Sequence, residues 1–304
     1  RARAGEDPDV LTWCGVLGLV AGVAGARAAF VVENWRAFAA SPHGLADVLD
    51  VSSGGLIYYG GVLLAAPVVL VYLRWKRLPV RRYLDILAAS LMVGLAFGRA
   101  GCLLNGCCWG GPCRHDWPLA ARFPMYSRPL LKLDGRVNPY SEATVWPSPV
   151  YAAQVASGRV RVPEGLRDAE GYLVPPAAFT PEQVRLAEEA RSAPVKPAQL
   201  LGLANALLLA GVLTAFHRLR SREGQVFALL AVLYPITRFI LESVRADNPR
   251  RFLRGELTHN QYTSLALLAA GVAMMLALRK MPASAGPLLA ERRRGAETAR
   301  QRGT

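Results

Sequence analysis

The chain has 304 residues, 52% of them hydrophobic, with a mean hydropathy of +0.22 and a formal net charge of +14 at pH 7. Its apolar residues gather into runs of about twenty, long enough at ~1.5 Å per residue to cross a ~30 Å hydrocarbon core, which excludes an ordinary soluble globular fold. The basic residues sit in short loops between those runs and in the tail, as the positive-inside rule describes, and this excludes nucleic acid as a partner.

The sequence opens at Arg1 rather than methionine, which reads as processing or truncation upstream. The first run, Leu11 to Val32, carries Gly18 and Gly22 at G-x-x-x-G spacing with Gly15 and Gly25 nearby, a pattern that lets membrane helices pack backbone to backbone. Arg27 near its end is either a headgroup anchor or part of a polar site. The second run, Gly54 to Leu73, opens with Tyr58 and Tyr59 between two glycine pairs; these tyrosines read as an interfacial belt or as part of a site. Arg74, Lys76, Arg77, Arg81 and Arg82 then fill a short loop expected in the cytoplasm.

The third run, Tyr83 to about Leu104, delivers Arg99 and a glycine-rich, cysteine-rich stretch, Gly98 to Cys113, to the opposite side. An arginine costs roughly 2.5–3.5 kcal/mol at a bilayer centre, so Arg99 faces protein, water or a lipid phosphate, or else snorkels to the headgroups. The spacing of Cys102, Cys107, Cys108 and Cys113 matches no zinc pattern built on paired C-x-x-C units, and no metal is assigned. Outside the cytoplasm, a disulfide among these four is the commoner use, with three pairings open.

From Cys113 to Lys196 no apolar run reaches spanning length, and the fold expected there is a long irregular outer loop. Within it Thr180-Pro181-Glu182-Gln183 predicts a capping box and a short helix to about Ser192. The fourth run, Pro197 to Phe216, ends at basic residues between His217 and Arg222, and the fifth runs from Gln225 to Val244. Arg238, Glu242 and Arg245 stand at i, i+4 and i+7, which predicts one helical stripe; the bland reading of the first two is a structural ion pair. The sixth run, Tyr262 to Leu278, follows a polar turn with His259 and Gln261, and Arg279 and Lys280 close it. Ala283 to Thr304 is expected to be disordered.

Six spans place both chain ends in the cytoplasm, with Arg99, Arg238, Tyr59 and the cysteines in the outer half of the membrane. That convergence predicts an intramembrane site for an anionic lipid headgroup. The expected fold is therefore all-α, a polytopic bundle divided as 1–112, 113–196, 197–280 and a basic tail, 281–304.

Several motifs, in order, resemble those of the bacterial prolipoprotein diacylglyceryl transferase family. The family signature reads glycine, arginine, any, glycine, asparagine, phenylalanine, any, asparagine, glycine, glutamate. Gly98, Arg99, Gly101, Asn105 and Gly106 match it, while Cys102 and Cys107 replace its asparagine and glutamate. Gly54 to Gly61 resembles a segment ending in histidine-glycine-glycine, with Tyr59 in place of the histidine. YPITRFILESVRADNP, Leu257 to Ser264, and Pro197, Gln199 and Leu200 resemble three further motifs.

The resemblance implies seven membrane helices, so that the first is missing here, and a multi-pass protein of the bacterial inner membrane with a cytoplasmic C-terminus. It implies transfer of the diacylglyceryl group of phosphatidylglycerol to the lipobox cysteine of prolipoprotein signal peptides, forming a thioether without a cofactor. Arg99, Arg238 and Tyr59 would be catalytic, with Arg99, Asn105, Arg238, Glu242, Arg245 and Gln261 binding substrate among the membrane lipids. A phenol is a poor proton acceptor at neutral pH unless strongly shifted, so either nearby basic groups lower Tyr59 or His115 or His259 is the base. Two other readings stay open: a thiol redox protein using Cys102, Cys107, Cys108 and Cys113, and a non-catalytic lipid-binding protein.

Overall fold

A computed structural model describes residues 8–39, 48–51, 55–114, 117, 119–126, 148–168, 174, 179–246 and 257–282. Its helices are α1 (Pro8–Glu33), α2 (Trp35–Ala39), α3 (Tyr58–Trp75), α4 (Val80–Asn105), α5 (Pro149–Ala156), α6 (Pro181–Glu189), α7 (Ala198–His217), α8 (Gln225–Val244) and α9 (His259–Arg279). Among the described residues six of them, α1, α3, α4, α7, α8 and α9, are long and apolar enough to cross a membrane, as the apolar runs predict. The expected disorder of Ala283 to Thr304 and the candidate His115 lie outside the described residues. The chain divides into two compact units, 1–87 and 88–304, with the boundary inside α4.

In the first unit α1 and α3 cross through small residues. A Cβ on Gly60 would stand 2.5 Å from the Gly25 carbonyl oxygen, and one on Gly61 would stand 2.8 Å from that of Gly22. The glycine pattern thus marks a real helix crossing, placed a turn beyond Gly18, whose nearest neighbour is Val69 at 3.7 Å.

The second run begins its helix at Tyr58 rather than Gly54 because Gly55 to Ile57 are used otherwise. Gly55 takes φ +73° with the Phe30 ring against its Cα, and Ile57 donates its N–H to the Ala26 carbonyl at 3.0 Å. Arg27 finishes this clamp. It is 7% exposed, donates Nε–H to the Val48 carbonyl at 2.8 Å and Nη1–H to the Gly55 carbonyl at 3.2 Å, and lies over the rings of Phe30 and Phe38. It is a buried tie between helix and loop, which corrects the expectation of a headgroup anchor.

In the second unit Ala88 and Met92 of α4 share a core with Leu209, Ala210 and Leu213 of α7 and Val226 and Leu230 of α8. Gly271 of α9 lies against the Ala231 backbone of α8, where any side chain would collide. Large apolar side chains such as Phe97, Leu104, Leu208 and Ile240 point outward, while Ala88, Ala206 and Ala210 are buried. That inversion suits a lipid environment, in which helices associate by close packing of small residues.

The described residues of the 113–196 excursion include two short helices and a packed cluster. Met125, Tyr151, Leu166, Phe179 and Val184 form their own buried cluster, brought together by α5, α6 and a 3-10 turn at Glu164–Leu166. The Thr180 capping box is present, with the Gln183 N–H donated to Thr180 Oγ1 and the Thr180 N–H to Gln183 Oε1. The helix stops at Glu189, short of Ser192, because Ala190 is already extended.

Gly60→Val should loosen the α1–α3 crossing by about 1–3 kcal/mol, as overpacking does. Thermal unfolding in detergent should show a lowered Tm for it and little change for Gly15→Ala, which meets nothing within 4 Å. Equal Tm values for Gly60→Val and the parent would contradict the crossing.

Candidate functional site

α4 ends in a left-handed turn that its sequence demands. Gly106 takes φ +67°, donates its N–H to the Leu103 carbonyl at 3.3 Å, and lets Cys107 donate its own to the Cys102 carbonyl at 3.1 Å. This is the Schellman pattern that satisfies the last carbonyls of a helix. Cys108 follows at φ +59°, a left-handed conformation that costs a non-glycine residue about 1–3 kcal/mol. The two left-handed residues fold the chain back over the helix end, so that the sulfurs of Cys102, Cys107 and Cys108 all lie within 4.8 Å of one another. Cys113 is outside this group, and all five cysteines are free thiols rather than the expected disulfide.

The strand of chain after the turn is stitched to two other helices. Gly110 donates its N–H to the Lys196 carbonyl just before α7, and Gly111 donates to the Val244 carbonyl at the end of α8, each at 2.9 Å. A Cβ on Gly110 would stand 2.6 Å from the first of these oxygens and 3.0 Å from the second, so only glycine fits between them. Gln199 in the first turn of α7 is fully buried and donates its side-chain amide to the Cys107 carbonyl at 2.7 Å, while its Oε1 has no hydrogen-bond partner.

Arg99 lies across α7. A Cβ on Gly202 would approach Arg99 Cδ at 3.1 Å and Nε at 3.3 Å, so the arginine stem packs on protein rather than reaching past it. Three residues further along α7, Asn205 donates to Thr237 Oγ1 at 3.1 Å, next to Arg238 on α8. Arg99 thus packs on α7, whereas the side chain of Arg238 pairs along its own helix with Glu242.

The predicted stripe on α8 is only partly realised. Arg238 and Glu242 pair at 2.5 Å, with the Glu242 side chain 1% exposed. Arg245 is off the stripe because the helix stops at Val244, and its extended backbone forms a bridge with Gly110 instead. The Glu242 carboxylate also accepts from Asn260 Nδ2 at 2.8 Å and Thr258 Oγ1 at 3.2 Å, which fastens the end of α8 to the start of α9. Gln261, expected on substrate, is 8% exposed and caps α9 by accepting the Thr258 N–H at 2.9 Å. Sequence reasoning missed Asn260 and this cap, although T-x-x-Q is the same signal that it used at Thr180.

At the turn itself, charge and hydrogen bonding act on one sulfur. Hydrogen bonds from the Cys102 and Cys107 thiols hold the Cys108 thiol far below its ordinary range against the opposing cost of burial, and the guanidiniums of Arg245 and Arg99 push the same way. The charges of Arg99 and Arg245 therefore reach the group of three cysteines, in which the exposed Asn105 is bonded to Cys107. Glu242, Arg238 and Gln261 belong to the adjoining tie between α8 and α9, and His259 is the first residue of α9. Tyr59 stands in the first turn of α3, in the first unit, 40% exposed and edge-on to the Tyr58 ring.

The profile of the prolipoprotein diacylglyceryl transferase family matches residues 2–277. A phosphatidylglycerol–prolipoprotein diacylglyceryl transferase of Rhodopirellula baltica is 35% identical over 128 residues, which is 41% of this chain and only 26% of that relative. Like-named proteins of Finegoldia magna and Symbiobacterium thermophilum are 24% and 25% identical, over 90% and 93% of this chain and 78% and 82% of their own lengths. With the matched residues reaching into all six apolar helices, the chain belongs to the prolipoprotein diacylglyceryl transferase family.

Proposed function

We propose that this protein transfers the diacylglyceryl group of phosphatidylglycerol to the lipobox cysteine thiol of prolipoproteins. The observation that carries the reading is Arg99, packed across Gly202 and joined by Arg245 at the end of α4, in a chain of this family. Arginine stays charged in a poor dielectric and offers a planar fork of donors that suits phosphate. The acceptor thiol releases its proton to water, its sulfur bonds the glyceryl carbon, the bond from that carbon to the phosphate oxygen breaks, and its electron pair leaves with glycerol phosphate. Charge builds on the departing phosphate, where preorganised guanidiniums lower the barrier.

In this reading Arg99, Arg238 and Arg245 hold the headgroup, Glu242 orients Arg238, and Asn105 donates to the phosphate or glycerol. Thr258, Asn260 and Gln261 fix Glu242 and act as positioning residues. The membrane is the bacterial inner membrane. The basic loops after α3 and α7 and at the end of α9 face the cytoplasm, which puts the C-terminus there and the arginines in the outer leaflet.

Membranes carrying the full-length protein, given phosphatidylglycerol and a lipobox peptide, should yield a peptide with a thioether-linked diacylglyceryl group by mass spectrometry; no such product contradicts the reading. Arg99→Ala should lower kcat by about 100–1000-fold, the scale of losing a transition-state charge donor. Glu242→Ala should cost about 3–5 kcal/mol of stability because it strands a paired cation, whereas Asn260→Ala should cost about 1–3 kcal/mol. Unfolding curves for both variants check the order, and equal losses would contradict the tie described at Glu242.

A further inference from the structure

We propose that Cys102, Cys107 and Cys108 bind a divalent ion of the zinc class as three thiolates, leaving its fourth position for the thiol of the acceptor cysteine. The geometry is close to what such an ion needs. Three thiolates on a tetrahedral ion at ~2.3 Å stand about 3.8 Å apart, so sulfurs already within 4.8 Å of one another close on it by about 1 Å or less. Cys102 comes from the last turns of α4, whereas Cys107 and Cys108 come from the left-handed turn, and the Gln199 amide fastens the carbonyl of Cys107. The cradle is therefore built by backbone, not gathered from mobile side chains.

The donor set selects the ion. Calcium and magnesium take oxygen ligands, and this group has none, while thiolates favour soft ions such as zinc. Four protein ligands close a zinc site, but three leave the position that catalytic sites use. Cys113, which would have been the fourth, is not in the group. Three thiolates and a divalent ion carry one net negative charge and a fourth thiolate makes it two, which the guanidiniums of Arg99 and Arg245, whose charges reach Cys108, offset.

The fourth-position role rests on the transferase reading. A hydroxide on the ion takes the proton of the acceptor thiol and leaves as water, and the acceptor sulfur takes its place as a thiolate. That sulfur then bonds the glyceryl carbon as the carbon–oxygen bond to phosphate breaks. The resulting neutral thioether is a poor ligand and departs. This supplies the deprotonation for which Tyr59 is poorly suited, since metal coordination strips a thiol of its proton.

The test uses the full chain, reduced, in detergent, stripped with chelator and then titrated with Co(II) in place of zinc. Binding of one equivalent with thiolate-to-metal charge transfer and tetrahedral visible bands is expected. Losing even a group one shell out from a metal costs about 10–100-fold in affinity, so Cys107→Ser and Cys108→Ser should each weaken binding at least about tenfold, with Cys113→Ser unchanged. A lipobox peptide should shift the visible bands, and its cysteine-to-serine counterpart should not.

Failure to bind Co(II), or full binding by the Cys107→Ser and Cys108→Ser variants, overturns the site. Identical spectra with the two peptides overturn the open position, a result read on the unmutated chain. Metal and peptide binding without any thioether product would instead defeat the transferase reading alone. Undiminished transfer by a metal-free enzyme would defeat this inference alone.

Discussion

Two backbone hydrogen bonds, from Gly110 to Lys196 and from Gly111 to Val244, hold the chain after α4 between the start of α7 and the end of α8. Buried backbone groups must find partners within the protein, because no water reaches them. Meeting that demand here ends α8 at Val244 and turns Arg245 out of its helix and toward Gly110. The same demand presses Gly110 against two carbonyls, where no side chain fits. The turn bearing Cys107 and Cys108 is thus a fixed part of the helix ends and not a free loop.

Charge is placed with the same economy. Arg238 pairs with Glu242, which also accepts from Thr258 and Asn260, so that ion pair joins α8 to α9 while it orients the guanidinium. Arg99 is different: its stem lies on Gly202, and its charge is felt at the Cys108 sulfur. Arg245 adds a second charge at that sulfur. Positive charge held by protein at the end of an apolar helix is costly without an anion, and both a phosphate and a thiolate answer to that description.

Much of this was readable beforehand, for reasons that differ by element. The six spans follow from composition alone, since runs of about twenty apolar residues have few alternatives. The cap at Thr180 follows from four adjacent residues, and Arg99 from the cost of its position. Arg245 was misplaced because helical periodicity assumes a helix that continues, and the residues that stop this one are more than a hundred positions away at Gly110 and Gly111. Arg27 was misjudged because its partners are carbonyls of a loop, which carry no sequence signature. The cysteine trio was hidden by spacing: i, i+5 and i+6 converge only if Gly106 and Cys108 both turn left-handed, and nothing in the letters C-C demands that of Cys108.

The account stands on an anionic headgroup being gripped at the end of α4. Native mass spectrometry of the full chain in mixed micelles of phosphatidylglycerol and phosphatidylethanolamine measures that grip without turnover. Preferential retention of phosphatidylglycerol, abolished in Arg99→Gln and kept in Arg27→Gln if the fold survives, is the expected result. Retention of both lipids in proportion to their supply, or a preference untouched by Arg99→Gln, would contradict it.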